Sequence, residues 1–500
     1  MAKDWQAALT ALHRFGFGAR GGSSGDLDNA ASDPRGFVMA ELGRPNALLQ
    51  APGLWSTQAL GQALFAYQDE VKQAREAAAK AAPPASEANP PAMEQPAAAS
   101  AAAANAGSAT MMTAPPPEAP KPPPPAPQPL NVVQKTYRNE ALARIQRATI
   151  ADCGFVERLV VFWSNHFCIS ANKGEPARIW AGAYEREAIR PHVLGRFADM
   201  LQAVERHPAM LFFLDNQQSI GPDSKAGQNR KRGLNENLAR EIMELHTLGV
   251  GAGYSQDDVT SLARIITGWT FAGREGRLGA PGSFVFNANA HQPGPQTLLG
   301  KVYDDAGVAQ GEAALADIAR QPATAKFIAQ KFARHFVADD PPASLVAKLE
   351  ASFLKSDGDL GLLTRTLLSS DEAWAAPLQK IRSPYDYLIA TGRLLARIPD
   401  NPNAHLGGLN TLGQPLWTPA GPNGFPDSNA AWAAPEGLKL RLDLAAQLSS
   451  KIADSVDARD LLEVAAGEAA SNETRQTIAR AETRQQALAL LLMSPEFQRR

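Results

Sequence analysis

Leu159, Phe162, Trp163, His166 and Phe167 recur at spacings of three and four, and so do Ile189, Val193, Phe197, Leu201 and Val204. That period belongs to helices that lay one face against a core. Similar patterning predicts helices over residues 54–75, 132–160, 256–269, 313–320, 322–336, 342–356, 360–369, 384–397, 437–451, 458–466 and 473–493. One stretch departs from it. In SFVFNANAHQPGPQTLLGKVY, residues 283–303, Phe284 and Phe286 alternate and QPGP supplies a turn, which predicts a β-hairpin. No segment repeats at a fixed period, which argues against a solenoid. The pattern therefore predicts a mainly α fold, a single large multi-helix assembly with one small β-hairpin.

Between residues 78 and 130 the chain is nearly all alanine and proline, with few branched or aromatic side chains to bury, and it reads as a disordered low-complexity insertion. The helical patterns on either side, 54–75 and 132–160, are each incomplete without a partner. Residues 1–77 and 131–500 are therefore expected to form one discontinuous helical domain, since a long insertion costs little loop-closure entropy. Length alone would have suggested more units, because 500 residues exceed what one small core needs.

Charge and cysteine content narrow the classes. A net charge of −2, from 49 basic and 51 acidic residues, offers no global field for nucleic acid or an anionic membrane. Two cysteines, Cys153 and Cys168, are too few for a disulfide framework. The first residues, MAKDWQAALTALHRFGFGARG, contain neither a signal-peptide core nor a twin arginine, and no stretch approaches the roughly 20 apolar residues of a membrane span. By its own sequence the chain is expected in the cytoplasm.

Candidate chemistry concentrates in LNENLAREIMELHTLG, residues 234–249. On a regular helix Asn237, Arg240, Glu241 and Glu244 share one face, while Asn235 and His246 lie opposite. Glu241 and Glu244 could hold a divalent cation or act as an acid and base pair, with Arg240 gripping a carboxylate or phosphate. An Arg and Glu network that ties this helix to its neighbours is the competing reading. Gly249 suits the residue after a helix, and Ser255 with Asp258 starts the next one, so His246 falls in a last turn, where it could simply serve the terminal carbonyls.

A second cluster is VFWSNHFCIS, residues 161–170, where His166 sits among aromatics and is expected to be buried and neutral, suited to a metal or a proton, with Asn165 beside it to orient a substrate. A hydrogen-bonded core histidine is the plainer reading. His13 and Arg14 precede a glycine-rich turn in LHRFGFGARG that matches neither a phosphate-binding loop nor a dinucleotide fingerprint. His291 is expected to be exposed at the hairpin tip. Residues 412–432 form a proline- and glycine-rich loop with Gln414, Trp417, Asp427 and Trp432, where an aromatic face beside a carboxamide suits sugars as well as packing. Paired CxxC, HExxH, GxSxG and P-loop patterns are all absent, which removes the common zinc peptidase, serine hydrolase and nucleotide-binding classes.

In order along the chain, ALHRFGFG, FWSNHF, YEREAIRPHVLGRFADML, HPAMLFFLDN, NENLAREIMELHTLGVGAGYSQDDVTSLARIITGW, ATAKFIAQKFARHFVADDPP, LGQPLW with PNGFPD, and LLLMSPEFQ resemble the bacterial domain-of-unknown-function family numbered 1800. The resemblance implies no established activity. It does imply a partner of the domain-of-unknown-function family numbered 1501, which is similar to sulfatases and often carries an export signal, and hence co-export to the periplasm. The family's polar positions map onto His13, Arg14, Trp163, Asn165, His166, Asn235, Glu236, Asn237, Arg240, Glu241, Glu244, His246, Asp258, Trp269 and His291. Relatives tend to have aspartate where this chain has Gln292, which leaves His291 without a carboxylate partner.

Together these readings lead to an expected hydrolase-like enzyme. Glu241, Glu244 and His166 would be catalytic or bind a divalent metal, and Arg240, Asn237, Asn165, His13, Arg14 and Trp417 would bind an anionic or sugar-like substrate. The rival expectation is a non-catalytic binding or scaffold protein whose polar helix is a structural network.

Overall fold

The computed structural model describes residues 3–43, 47–81, 129–228 and 233–500. Most of the expected Ala/Pro insertion falls outside these residues. Helices dominate, and among the described residues only two two-stranded sheets occur, so the fold is mainly α. No described helix is long and apolar enough to cross a membrane.

Helix α1 (Thr57–Ala81) precedes the insertion and α2 (Val132–Ile150) follows it. Both pack against α4 (Glu175–Tyr184). The continuous helix expected over 132–160 is two helices, because Gly154 adopts a left-handed conformation and starts α3 (Phe155–His166). A Cβ at Gly154 would come within 2.8 Å of the Phe17 ring, so the break lets the glycine-rich N-terminal turn pack flush against it. Glu41 closes the start of α3: its carboxylate accepts the backbone N–H groups of Cys153, Gly154, Phe155 and Val156 at 2.7–3.3 Å. The stretch over 473–493 also divides, into Asn472–Ala479 and Arg484–Met493, where Thr483 caps the second helix.

Among the described residues three helical segments are wound as wider π turns: Thr10–Phe15, Glu185–Ile189 and Ile242–His246. The last continues α6 (Asn237–Glu241) beyond α5 (Phe197–Glu205) and before α7 (Gln256–Ile265). Helices α8 (Pro322–Phe336) and α9 (Pro384–Leu394) begin with proline at the first position, where its missing N–H costs nothing. One cluster of buried apolar side chains runs from Ala8 to Phe497.

The expected single hairpin is two. Strand β1 (Trp269–Phe271) pairs with β2 (Phe284–Phe286), and β3 (Gln296–Leu298) pairs with β4 (Lys301–Tyr303) across a turn at Leu299 and Gly300, both at positive φ. QPGP separates the two pairs and does not close one. His291 is buried between them, 6 % exposed, with Nδ1 at 3.0 Å from the Thr267 carbonyl oxygen, contrary to its expected place at a solvated tip. Its Nε2 lies 3.7 Å from Asp305, so a carboxylate neighbour comes from outside the HQPG motif, while Gln292 bonds to Asp223.

Candidate functional site

Helix α3 ends at His166, which is 2 % exposed and surrounded by Phe162, Trp163, Phe167 and Phe327. Nε2 is 3.0 Å from the carbonyl oxygen of His246, and burial with Lys331 nearby pushes the imidazole well below its ordinary pKa. The ring is therefore neutral and donates from Nε2. Its Nδ1 lone pair has no partner among the described residues and is closed to solvent.

His246 ends the π turn, with Nδ1 at 2.8 Å from Glu205 and both side chains fully buried. The wider turn is held by Thr247, whose hydroxyl donates to the Ile242 carbonyl, and by the Gly249 N–H on Met243. On the outer face Arg240 bridges Glu236 at 3.1 Å and Glu244 at 3.4 Å and reaches Gln256 on α7. Asn237 is exposed, and its side chain bonds to no described residue. Glu241 is half-buried and makes no hydrogen bond among the described residues. Burial raises its pKa, with Glu244 adding repulsion and His246 and Arg240 opposing.

The expected metal ligands Glu241, Glu244 and His166 are not gathered into one cluster. Glu244 is engaged by Arg240 on the surface, and His166 is closed in with its Nε2 on a backbone carbonyl. Among the described residues no group of three or more His, Cys, Asp or Glu side chains could hold a metal ion.

The expected substrate contacts divide in the same way. His13 is buried between the Ala465 carbonyl at 3.1 Å and Arg382 at 3.1 Å, and burial lowers its pKa to about 3. Arg14 gives its guanidinium to the carbonyls of Ala373, Ala376 and Pro377 at 2.6–2.8 Å. Neither lines the clefts described below. Trp417 donates its indole N–H to Glu185 at 3.3 Å and lines only a cavity of about 60 Å³, too small for a sugar ring. Glu185 in turn is gripped by Arg144 at 2.8 Å and Arg190 at 3.1 Å, deep in the molecule.

Asn165 serves a loop. Its carboxamide accepts the Phe425 N–H at 2.8 Å and donates to the Phe425 carbonyl at 2.9 Å. Gly424, at φ +76°, allows that approach, since a Cβ there would lie 2.5 Å from the Asn165 carbonyl oxygen.

This pinned loop, with α3 and α8, encloses a cleft of about 380 Å³. Asn165, His166, Lys331, Arg334, His335 and Asp427 are among its walls. Both acids on the walls are already engaged: Asp427 meets His335 at 2.8 Å and Lys380 at 3.1 Å, and Asp339 meets Lys380 at 2.9 Å. His335 also receives Arg158 at Nε2, and burial lowers it to about 4, so it is a neutral link in the network. Behind it Arg158 and Arg500 hold Asp386, whose pKa falls to about 2 although burial works the other way.

The cations are different. Lys331 lies over the Phe327 ring at 5.2 Å with no carboxylate in salt-bridge range among the described residues, and burial lowers its amine to about 8. Arg334 is exposed, and its one hydrogen bond to a described residue is from Nε to the Asp339 carbonyl. The sequence reading missed Lys331. The available signal was a lysine four residues after Phe327, on a helix face that otherwise carries Ile328, Phe332 and His335.

A family model described as "Protein of unknown function (DUF1800)" matches residues 10–499. The chain belongs to this family. The DUF1800 match covers nearly the whole chain and every expected site residue, so the resemblance read from the motifs is correct. No curated protein and no solved structure matches the chain.

Proposed function

We propose that this DUF1800 protein binds an anionic group, a carboxylate, phosphate or sulfate, in the cleft between α3, α8 and the loop over 423–428. The observation that carries this reading is Lys331, a partly buried amine with no carboxylate in salt-bridge range among the described residues, on a cleft whose own carboxylates are already engaged. Leaving a cation unpaired costs stability, and a ligand anion would recover that cost. Arg334 at the rim adds attraction and free guanidinium donors. A sulfate or phosphate ester suits the sulfatase-like partner that the family resemblance implies.

The test is a titration of the full chain with sulfate, phosphate and acetate at constant ionic strength, followed by calorimetry. Saturable binding that Lys331→Met abolishes supports the proposal. Equal binding by both proteins, or by neither, refutes it.

The Arg and Glu network expected from the sequence accounts for Arg240 and Glu244 without chemistry.

A further inference from the structure

We propose a second, separate binding site, for a neutral saccharide, in the cleft beside β1. Its volume is about 730 Å³, within the range of small-molecule sites. Carboxamides dominate its polar walls: Asn216, Gln217, Gln218, Asn287 and Asn289. A carboxamide both donates and accepts, which is the complement of a ring of hydroxyls, whereas a charged ligand would call for fixed charge.

The fixed charges here are already used. Arg274 is held by Asp69 and Gln68, and Arg277 by Glu275. The carboxamides, by contrast, have capacity to spare. Asn287 accepts the Asn289 N–H at 3.1 Å and leaves its own amide donors free, and the Asn289 side chain bonds to no described residue. At the floor Asn216 is oriented by donating to the Ile266 and Trp269 carbonyls at 3.2 and 3.0 Å. Its Oδ1, together with Gln217 Oε1, lacks any donor among the described residues and is closed to solvent, so the accessible donors and acceptors of the cleft are those of Gln218, Asn287 and Asn289. Phe271 adds an apolar ring to one wall, set edge-on to Trp180 at 5.2 Å, against which the C–H face of a sugar can lie. None of these residues lines the cleft of Lys331, so the two proposals fail independently.

Saturation-transfer NMR on the full chain with maltose, cellobiose and N,N′-diacetylchitobiose tests the site. Gln218→Ala with Asn289→Ala removes two exposed carboxamides that carry little of the fold, and Phe271→Ala removes the ring. The expected result is saturable binding of at least one sugar, about ten-fold weaker in the double variant at unchanged melting temperature and unaffected by Lys331→Met. No binding up to roughly 10 mM overturns the proposal, as does equal binding by the double variant. A response to a short neutral peptide such as trialanine, with none to any sugar, overturns it as well.

Discussion

Replacing Lys331 by methionine should make the protein more stable while removing its proposed ligand. The amine titrates near 8 in the folded chain against 10.5 when free, so folding must hold a proton on a group that burial disfavours. That difference is worth about 3 kcal/mol at pH 7. Methionine keeps the stem's packing over Phe327 and removes the charge, so Lys331→Met should gain up to about 3 kcal/mol at neutral pH. The pH dependence supplies the sign. Between the folded and unfolded values the unfolded wild-type chain binds more protons, so wild-type stability rises with pH and the gain shrinks to about 1 kcal/mol at pH 9.5. Urea unfolding of both proteins at pH 7 and pH 9.5, followed by far-UV circular dichroism, measures this difference directly. A destabilised Lys331→Met, or a gain that does not change with pH, would refute the reasoning, because either result would mean that the amine is already paired.

Glu185→Gln should cost about 3 to 5 kcal/mol in urea unfolding, because Arg144 and Arg190 would remain buried without that charge. Gly424→Ala should cost about 2 to 5 kcal/mol from left-handed strain and the clash with Asn165, and should expose the loop over 421–428 to limited proteolysis. Acid should unfold the protein early. His13 and His207 are depressed to about 3 and His335 to about 4, so each loses about 1.4 kcal/mol per pH unit as pH falls from 6.5 toward its folded value, which unfolding at graded pH will show. Chelator should leave the melting temperature unchanged and added zinc or magnesium should not raise it; a rise abolished by His166→Ala would restore the metal reading.

Helical periodicity was strong enough to predict Pro322–Phe336 and Leu360–Ser369 residue for residue, because both have a clean apolar stripe and defined ends. It failed where a single backbone position overrode the pattern. At Gly154 the chain is met by Phe17, more than a hundred residues away, and the stretch between the two hairpins carries His291 into the interior. For the site, periodicity placed Glu244 and His246 on opposite faces, and the structure puts one on the surface and the other against Glu205. It could not show that Arg14 would be satisfied by three carbonyls or that Asn165 would be used on Phe425, since both partners are remote in sequence.

The sequence by itself determined a mainly α chain of the DUF1800 family, because helical period and motif order are local properties that survive without tertiary context. Tertiary structure alone decided which polar residues have capacity left over. A charge becomes available for a ligand only when the fold brings no close partner to it, and that distinction separates Arg14, closed in by carbonyls, from Lys331, which faces a cleft with no carboxylate in salt-bridge range among the described residues.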